Sequence, residues 1–237
     1  VDEGGFPEAV NSFMQGPGKG LNITIPFKQE AWQMAEVRSQ RAELAGAVNT
    51  LYRNAEGQLC GDNTDGIGMV RDIVENNGGK IEGADVLILG AGGAVRGVLQ
   101  PVLEQNPRRL VIANRTASKA ELLADLVADL GDVEGCGFDA LAGQQFDLVI
   151  NGTAASLQGE VPPLPDDLLK SAAWCYDMMY SADVTAFCQW AQDHNAEKAI
   201  DGLGMLVEQA AESFYIWRGI RPATQPVIAT LRAALTP

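Results

Sequence analysis

The sequence predicts an α/β protein built on an open, doubly wound parallel sheet, with a smaller α/β domain beside it. The main observation is that short apolar runs alternate with helical patterns through the middle of the chain. Two of these runs, DVLIL at 85–89 and DLVI at 147–150, are almost continuously apolar, as strands covered by helices on both faces usually are. Alternation of this kind predicts right-handed crossovers between parallel strands.

The elements of this larger domain follow one another in a regular order. We predict strands at 85–89, 110–113, 133–138, 146–150 and 174–178, and helices at 93–104, 116–130 and 182–194. The helix at 116–130 is predicted from Leu123, Leu126, Val127 and Leu130, whose spacing places them on one helical face.

The opening segment has a different pattern. A strand at 21–25 alternates, with Leu21, Ile23 and Ile25 on one face and Asn22 and Thr24 on the other. The remaining predicted elements are strands at 47–53 and 58–61 and helices from Pro26 through Val37 and at 64–76, 203–217 and 224–235.

These elements predict two domains. The opening segment has too few strands to complete a sheet, and Val1 is not an initiator Met, so we expect a first strand and helix to be missing before it. The C-terminal helices are expected to pack back on this segment. The predicted division is 1–64 with 203–237 for the smaller domain and 65–202 for the larger.

Composition limits the partners and the compartment. The net charge of -14 disfavours binding to nucleic acid and to anionic membranes. No apolar run approaches the roughly 20 residues of a membrane helix, and residues 1–19 lack the apolar core of a signal peptide. We therefore expect a cytoplasmic protein that acts on a small molecule, as a monomer or a homodimer.

The supply of reactive side chains narrows the chemistry. The four cysteines are widely spaced, and His194 is the one histidine, so no metal site is expected. His194 continues a helical stripe and is expected to pack at a helix end. Most Ser-His-Asp and Cys-His schemes are excluded. Proton transfer in an enzyme of this sequence would use Lys, Asp, Glu, Tyr or Cys.

A glycine-rich turn follows the predicted strand at 85–89 and opens a helix, which is the context of a dinucleotide site. The turn consists of Gly90, Ala91, Gly92, Gly93 and Ala94. Its glycines would permit a tight turn and close approach of a diphosphate to the helix N-terminus. Val95 stands where the usual motif has its third glycine, and an ordinary structural turn is the alternative.

The end of the next strand indicates which dinucleotide. An NAD site usually has an acidic residue there, which holds the ribose hydroxyls. The segment here has none and reads Asn114, Arg115, Thr116, Ala117, Ser118, Lys119. Arg115 can stack on adenine and pair with a 2'-phosphate, and Lys119 adds a second positive charge. This favours NADP over the alternative that both are solvated first-turn residues.

Polar residues around the opening segment indicate a substrate site. Asn22 and Thr24 lead to Lys28, a cation at a helix N-terminus that opposes the helix dipole. Lys28 and Asp65 form a candidate acid/base pair, and Asn49 lies between them in the chain. Helix capping is an equally good explanation for the residues at 62–64.

Taken together, these motifs resemble the shikimate dehydrogenase family over nearly the whole chain. Seven of them stand in the family's order: GLNITIPFK, GAVNTL, GDNTDG, GAGGA, NRTASK, YDMMY and DGLGMLVEQAA. The resemblance implies an N-terminal substrate domain completed by the C-terminal helices, a Rossmann-type NADP domain, and reduction of 3-dehydroshikimate to shikimate on the pathway to the aromatic amino acids.

The resemblance also assigns roles to individual residues. The family's catalytic lysine and its partner aspartate fall on Lys28 and Asp65. Substrate contacts fall on Asn22, Thr24, Asn49, Tyr180 and Gln209, in addition to the catalytic pair. Met178 and Gly202 match positions that line the nicotinamide pocket. Helical spacing places Gly202, Met205 and Gln209 on one face, and Leu206, Ala210 and Phe214 on a second face expected to be buried.

Two departures from the family qualify these roles. The Ser-x-Ser motif that binds the substrate carboxylate would lie before Val1, so the sequence as given could bind NADP without turning over shikimate. The family's Asn-x-Thr-Ser-Ser stretch reads Asn-Gly-Thr-Ala-Ala at 151–155. Two other functions stay open: a quinate/shikimate dehydrogenase that uses NAD, and a non-catalytic dinucleotide-binding paralogue. Arg115 argues against the first, and retention of Lys28 with Asp65 argues against the second.

Overall fold

A computed structural model describes residues 1–2 and 4–235 of the chain. The strands are β1 (Gly20–Asn22), β2 (Val37–Arg38), β3 (Thr50–Arg53), β4 (Leu59–Asp62), β5 (Asp85–Leu89), β6 (Arg109–Asn114), β7 (Val133–Gly137), β8 (Phe146–Asn151), β9 (Leu169–Asp177) and β10 (Lys198–Ile200). The helices are α1 (Phe6–Gln15), α2 (Lys28–Met34), α3 (Gln40–Ala45), α4 (Asp65–Arg71), α5 (Gly93–Leu103), α6 (Ala117–Leu126), α7 (Ala186–Asp193), α8 (Leu203–Arg218) and α9 (Gln225–Leu235).

The larger sheet has six parallel strands in the spatial order β10-β9-β8-β5-β6-β7. Its central strand β5 is buried throughout, and successive side chains enter two different cores. Val86 and Ile88 pack in the core beneath α5, whereas Leu87 and Leu89 pack in the core that includes Phe187 of α7. Helices therefore cover both faces, which confirms the predicted doubly wound sheet.

The smaller sheet has four strands in the order β1-β3-β4-β2. β3 pairs antiparallel with β1 and β4, and β2 pairs parallel with β4. Leu51 is fully buried in a separate core with Phe6, Val10 and Met14 of α1. The smaller α/β unit of the predicted fold is thus present, with its own sheet and its own core.

Helix α8 contacts both parts of the molecule. It packs against α4, and a Cβ atom on Gly68 of α4 would lie only 2.6 Å from the backbone nitrogen of Gln209. At its far end, Trp217 Nε1 donates to the carbonyl of Leu51 in the smaller sheet at 3.2 Å. These contacts hold the Gln209 side of α8 close to the first turn of α4.

Several predicted elements have different bounds in the structure. The helix predicted at 116–130 ends at Leu126, and a 3-10 turn follows at Ala128–Leu130. Of the four predicted apolar positions, Leu123 and Val127 are buried as expected, whereas Leu126 and Leu130 are 42% and 39% exposed. The chain leaves the helical register at Val127, which places Leu130 outside the predicted face. The strand at 21–25 ends at Asn22, and Ile25 lies outside the core at 82% exposure.

The predicted buried face of α8 was also wrong. Leu206, Ala210 and Phe214 are exposed, whereas Glu208 and Glu212 are 5% and 6% exposed. Four further elements, α1, α3, β2 and β10, were not predicted from the sequence. Of these, α1 carried a readable signal, because Phe6, Val10 and Met14 recur every four residues and all three are buried.

Candidate active site

The structure brings the predicted acid/base pair together. Lys28 is the first residue of α2 and Asp65 is the first residue of α4. The Lys28 Nζ donates to Asp65 Oδ2 at 2.6 Å, and the side chains are 27% and 17% exposed. Both charges are thus partly shielded from water while staying accessible to a ligand, which strengthens their interaction with a bound molecule.

Asn49 fixes the aspartate in place. Its Nδ2 donates to Asp65 Oδ1 at 2.8 Å and to Thr64 Oγ1 at 2.9 Å, and its Oδ1 accepts from the Thr64 backbone nitrogen at 2.9 Å. The two Asp65 oxygens therefore have different partners, Asn49 on one side and Lys28 on the other. The buried Thr64 serves this arrangement by bonding to Asn49, and its side chain makes no capping bond to α4.

A cavity of about 360 Å³ opens over this pair. Its lining residues are Asn22, Ile23, Thr24, Lys28, Asn49, Asp65, Met178, Tyr180, Gly202, Met205, Leu206 and Gln209. All the residues that the sequence analysis assigned to substrate lie in this lining, together with Met178 and Gly202. Ile23 and Leu206 add apolar surface that the sequence analysis did not assign to the site.

A second cavity, of about 570 Å³, lies beside the first. It is lined by Ala91, Gly92, Gly93 and Ala94 of the glycine-rich turn, by Arg96 and Leu123, and by residues of the opening segment. Lys28 and Asp65 line both cavities. The acid/base pair therefore stands between a space against the glycine-rich turn and a space among the predicted substrate contacts.

The glycine-rich turn has room for a phosphate group. Gly90 has a φ of 106°, which favours glycine, and its nitrogen donates to the Ala113 carbonyl at 2.8 Å. Gly92 and Gly93 at the N-terminus of α5 are exposed, and a Cβ atom on either would meet no atom within 4 Å. The fold itself leaves this space open at a positive helix end, which fits a dinucleotide diphosphate.

The segment after β6 presents positive charge without an acidic partner. Arg115 and Lys119 are exposed, and within the described part of the chain neither forms an ion pair. Asn114 Nδ2 donates to the Thr116 carbonyl at 2.9 Å, which shapes the turn between β6 and α6. Neither cavity extends to these residues; they lie on open surface at the carboxyl end of β6, next to β5.

Met178 and Gly202 meet at the far side of the first cavity. A Cβ atom on Gly202 would lie 2.7 Å from the Met178 carbonyl carbon, and the Gly202 nitrogen donates to the Met179 carbonyl at 2.9 Å. Gly202 is also the N-cap residue of α8. The start of α8 is thereby fixed against the end of β9, so the two predicted nicotinamide contacts lie side by side.

A buried ion-pair network that the sequence analysis missed supports α8 behind the site. Glu212 Oε2 accepts from Arg71 of α4 and from Arg221, both at 2.6 Å. Burial works to raise the pKa of Glu212, but hydrogen bonds from Arg221 and Arg71 hold that pKa below its ordinary value. Asp62 accepts hydrogen bonds from Arg41 at 2.6 and 2.8 Å. Its carboxylate is therefore part of the ion-pair network and does not line the first cavity.

Cys175, Cys188 and His194 line neither cavity. Burial raises the pKa of Cys175 to about 12 and that of Cys188 to about 11, which keeps both thiols protonated. His194 Nδ1 bonds to the Trp190 carbonyl at 2.8 Å at the end of α7, as helix-end packing requires. Among the described residues, no cluster of three or more His, Cys, Asp or Glu side chains could hold a metal ion.

A doubly wound sheet whose glycine-rich turn faces a lysine–aspartate pair defines a dinucleotide-dependent oxidoreductase. Family models described as the shikimate dehydrogenase substrate binding domain, shikimate/quinate 5-dehydrogenase and the shikimate 5'-dehydrogenase C-terminal domain match residues 1–51, 72–158 and 202–232. A shikimate dehydrogenase (NADP(+)) of Methylococcus capsulatus is 57% identical over 96% of this chain and 82% of its own length. The chain belongs to the shikimate dehydrogenase family.

Other relatives and solved structures agree with this assignment. A shikimate dehydrogenase (NADP(+)) of Cellvibrio japonicus is 58% identical over 99% of this chain and 85% of its own length. An Ael1 enzyme of Pseudomonas putida has a TM-score of 0.93 at 45% identity, over 100% of this chain and 85% of that one. A Thermus thermophilus shikimate 5-dehydrogenase solved with NADP(H) and shikimate has a TM-score of 0.84 at 28% identity, over 99% and 86%.

The names of the relatives also indicate the cofactor. Both of these curated relatives carry the name shikimate dehydrogenase (NADP(+)), which agrees with the cofactor that the basic segment after β6 indicates. In the described part of the chain, no helix has the length and apolarity needed to cross a membrane.

Proposed function

We propose that this chain is an NADP-dependent dehydrogenase that interconverts 3-dehydroshikimate and shikimate, in the pathway to chorismate and the aromatic amino acids. The observation that carries the proposal is the position of Lys28 and Asp65 on the boundary of the two cavities. A substrate in the first cavity and a nicotinamide approaching from the glycine-rich turn would meet at this pair.

The proposed chemistry gives each residue of the pair a distinct task. NADPH, when bound, supplies the hydride that reduces the ring ketone. Lys28 donates a proton to the developing alkoxide through its Nζ, and Asp65 orients both Lys28 and the substrate. A positioned proton donor of this kind contributes about 10²- to 10⁴-fold to the rate. Asn49, which bonds Asp65 Oδ1, keeps the other carboxylate oxygen directed at Lys28.

The remaining polar groups of the first cavity suit a polyhydroxylated ring. Amide, hydroxyl and phenol groups are hydrogen-bond partners for ring hydroxyls, and Ile23, Met205 and Leu206 offer apolar contact to ring carbons. We propose Asn22, Thr24, Asn49, Tyr180 and Gln209 as the substrate contacts. The lining pairs one cation, Lys28, with one anion, Asp65, and its other polar groups are neutral, so it adds no net negative charge against an anionic acid.

For the cofactor, we propose that the turn at 90–94 binds the diphosphate and that the segment at 114–119 binds the adenosine 2'-phosphate. The open space at Gly92 and Gly93 supports the first assignment. The unpaired charges of Arg115 and Lys119 support the second, since an NAD site would need an acidic side chain there. Met178 and Gly202 would contact the nicotinamide.

The division into domains, the compartment and the oligomeric state are also proposed. We propose that residues 1–64 with 203–237 form the substrate domain and 65–202 the cofactor domain, because each contains one of the two sheets. We further propose a cytoplasmic monomer or homodimer that does not bind nucleic acid, which the net charge of -14 supports.

The test is a steady-state assay of reduced-cofactor formation with four pairs: shikimate or quinate, each with NADP or NAD. The proposal predicts the highest kcat/KM for shikimate with NADP. A preference for quinate with NAD would favour the alternative dehydrogenase. Tight binding of NADP with no oxidation of either acid by the full chain would favour a non-catalytic dinucleotide-binding protein.

A further inference from the structure

Two buried side chains lie at the carboxyl ends of neighbouring strands, and one of them is next in the chain to Met178, which borders the first cavity. Asn151 ends β8 and Asp177 ends β9, and the two are register partners in the sheet. Both are fully buried, and Asn151 Nδ2 donates to Asp177 Oδ1 at 3.0 Å. Among the described residues, Asp177 has no Lys, Arg or His within ion-pair distance, so neutral donors hold it.

The second carboxylate oxygen of Asp177 holds the far end of the loop that follows β9. Thr185 Oγ1 donates to Asp177 Oδ2 at 2.7 Å and accepts from the Cys188 nitrogen at 3.2 Å, which caps α7. The Met179 nitrogen adds a bond to Asp177 Oδ1 at 3.1 Å. The segment 178–184 therefore leaves the sheet at Asp177 and returns to the same carboxylate at Thr185.

This loop carries two of the cavity's lining residues. Met178 and Tyr180 both face the first cavity, and Tyr180 is 41% exposed. The Tyr180 hydroxyl forms no hydrogen bond with any described residue, so no side-chain contact fixes its hydroxyl. The position of Tyr180 is set by the backbone of the loop, and hence by the bonds that hold the two loop ends.

The same carboxylate is linked to the turn after β8. Asn151 Oδ1 accepts from Thr153 Oγ1 at 2.7 Å and from the Thr153 nitrogen at 3.1 Å. The next residue after Asn151 is Gly152, and a Cβ atom there would lie 3.1 Å from Met178 Sδ. Asp177 is thus bonded directly to the loop at 178–185 and, through Asn151, to the turn after β8, and both border the proposed nicotinamide position.

We propose that Asp177 and Thr185 are positioning residues that hold Tyr180 and Met178 against substrate and cofactor. The inference rests on the proposed function and adds to it two residues that make no contact with either ligand. A fully buried carboxylate without a cation is costly unless hydrogen bonds satisfy it, and each bond to a charged group is correspondingly strong. The position of Asp177 at this point of the sheet is explained by the loop whose two ends it holds.

A double-mutant cycle separates positioning from simple structural support. Thr185→Val removes both hydroxyl bonds at nearly constant size, whereas Thr185→Ser keeps them. We expect Thr185→Val to lower kcat/KM for shikimate about tenfold and Thr185→Ser to stay within about twofold of the wild type. In a Tyr180→Phe background the effect of Thr185→Val should shrink to about twofold, because the hydroxyl that the loop positions is gone.

One matched variant and one inhibition constant serve as controls, and a second variant tests the loop from the carboxylate side. Thr230→Val is a matched change on the exposed face of α9 and should leave kcat/KM unchanged. Asp177→Asn keeps the size but removes one acceptor and should behave like Thr185→Val. The inhibition constant of adenosine 2',5'-bisphosphate against NADP should stay constant in all variants, because its proposed contacts lie at Arg115, away from the loop.

Hydrogen–deuterium exchange gives a readout that needs no turnover. Thr185→Val should speed exchange in 178–185 and leave 90–97 unchanged, even if shikimate proves not to be the substrate. An equal effect of Thr185→Val in both backgrounds, or unchanged exchange in the loop, would overturn the inference. Absence of shikimate oxidation by the wild type, with faster loop exchange in the variant, would instead refute the proposed substrate.

Discussion

The Nζ of Lys28 lies 2.6 Å from an Asp65 carboxylate oxygen, although the two residues are 37 positions apart and each begins a different helix. α2 follows the smaller sheet's first strand, and α4 leads out of that sheet toward the larger one. The pair therefore forms where the chain passes from one sheet to the other. This is also where the two cavities meet, so a proton donor stands at the boundary of the proposed substrate and cofactor spaces.

Replacing the proposed proton donor should affect turnover more than binding. We expect Lys28→Ala to lower kcat for shikimate oxidation by about 10²- to 10⁴-fold with a KM change of less than about threefold. Lys19→Ala, a change at an exposed lysine, is the matched control and should leave kcat unaltered. Steady-state kinetics of both variants would reject the role of Lys28 if kcat stayed within twofold of the wild type.

The glycine-rich turn should tolerate a methyl group in the free protein but not in the cofactor complex. Gly92 has φ -90° and ψ -178°, which alanine adopts freely, and its Cβ would meet no atom within 4 Å. We expect Gly92→Ala to leave the melting temperature unchanged and to raise the KM for NADP about tenfold or more.

Gly5→Ala is the control for that change, because its Cβ would make only ordinary contacts. It should alter neither the melting temperature nor the KM for NADP. Thermal unfolding combined with cofactor titration measures both quantities. If Gly92→Ala bound NADP as tightly as the wild type, the diphosphate would have to lie elsewhere.

The basic segment after β6 should set the preference between the two dinucleotides. Arg115→Ala removes a cation proposed to contact the 2'-phosphate, and we expect the KM for NADP to rise about tenfold or more while that for NAD stays within about threefold. Arg218→Ala, on the exposed end of α8, controls for loss of charge alone. An equal loss with both cofactors would show that Arg115 does not read the phosphate.

A buried carboxyl group between α4 and α8 should give stability an unusual pH dependence. Asp72 is 3% exposed and accepts from Tyr176 Oη at 2.8 Å and Asn76 Nδ2 at 3.0 Å. Burial raises the pKa of Asp72 above its ordinary value of 3.8, and Glu208 and Asp201 raise it further. The folded state therefore binds this proton more tightly than the unfolded state, so the contribution to stability falls as pH rises from about 4.

Replacing the Asp72 carboxyl group with an amide should remove this dependence of stability on pH. Because wild-type stability falls over this range, we expect the free energy of unfolding of Asp72→Asn minus that of the wild type to increase between about pH 4 and the raised pKa, and to be constant above it. Asp129→Asn, a change at an exposed carboxyl, is the control. Urea unfolding at several pH values measures the difference, and a difference that does not vary with pH would contradict the assignment to Asp72.

The sequence was sufficient for those features that local signals determine. Five of the six strands of the larger sheet, β5 to β9, follow from short apolar runs, and the glycine-rich turn follows from its place between a strand and a helix. The lining of the first cavity followed from the family resemblance, since Tyr180 and Gln209 lie far from Lys28 in the chain. No spacing rule relates those positions: the packing of α8 on α4 places Gln209, and the loop after β9 places Tyr180.

The burial pattern of α8 shows why other features could not be predicted. The periodicity of apolar residues favoured Leu206 and Phe214 as buried, yet both are exposed. Glu208 and Glu212 are buried instead, because Asn76 bonds to the first and Arg71 bonds to the second. A pattern of apolar residues does not reveal charged partners on a distant helix, so the inward face of α8 was assigned to the wrong residues.

The most direct test of the whole account is a crystal structure of the full chain with NADP and shikimate. The account predicts the diphosphate at Gly92, the adenosine 2'-phosphate at Arg115, and the Lys28 Nζ within hydrogen-bond distance of the ring hydroxyl that faces the nicotinamide. A shikimate ring bound away from Lys28 and Asp65, or a cofactor lying off the turn at Gly92, would contradict it.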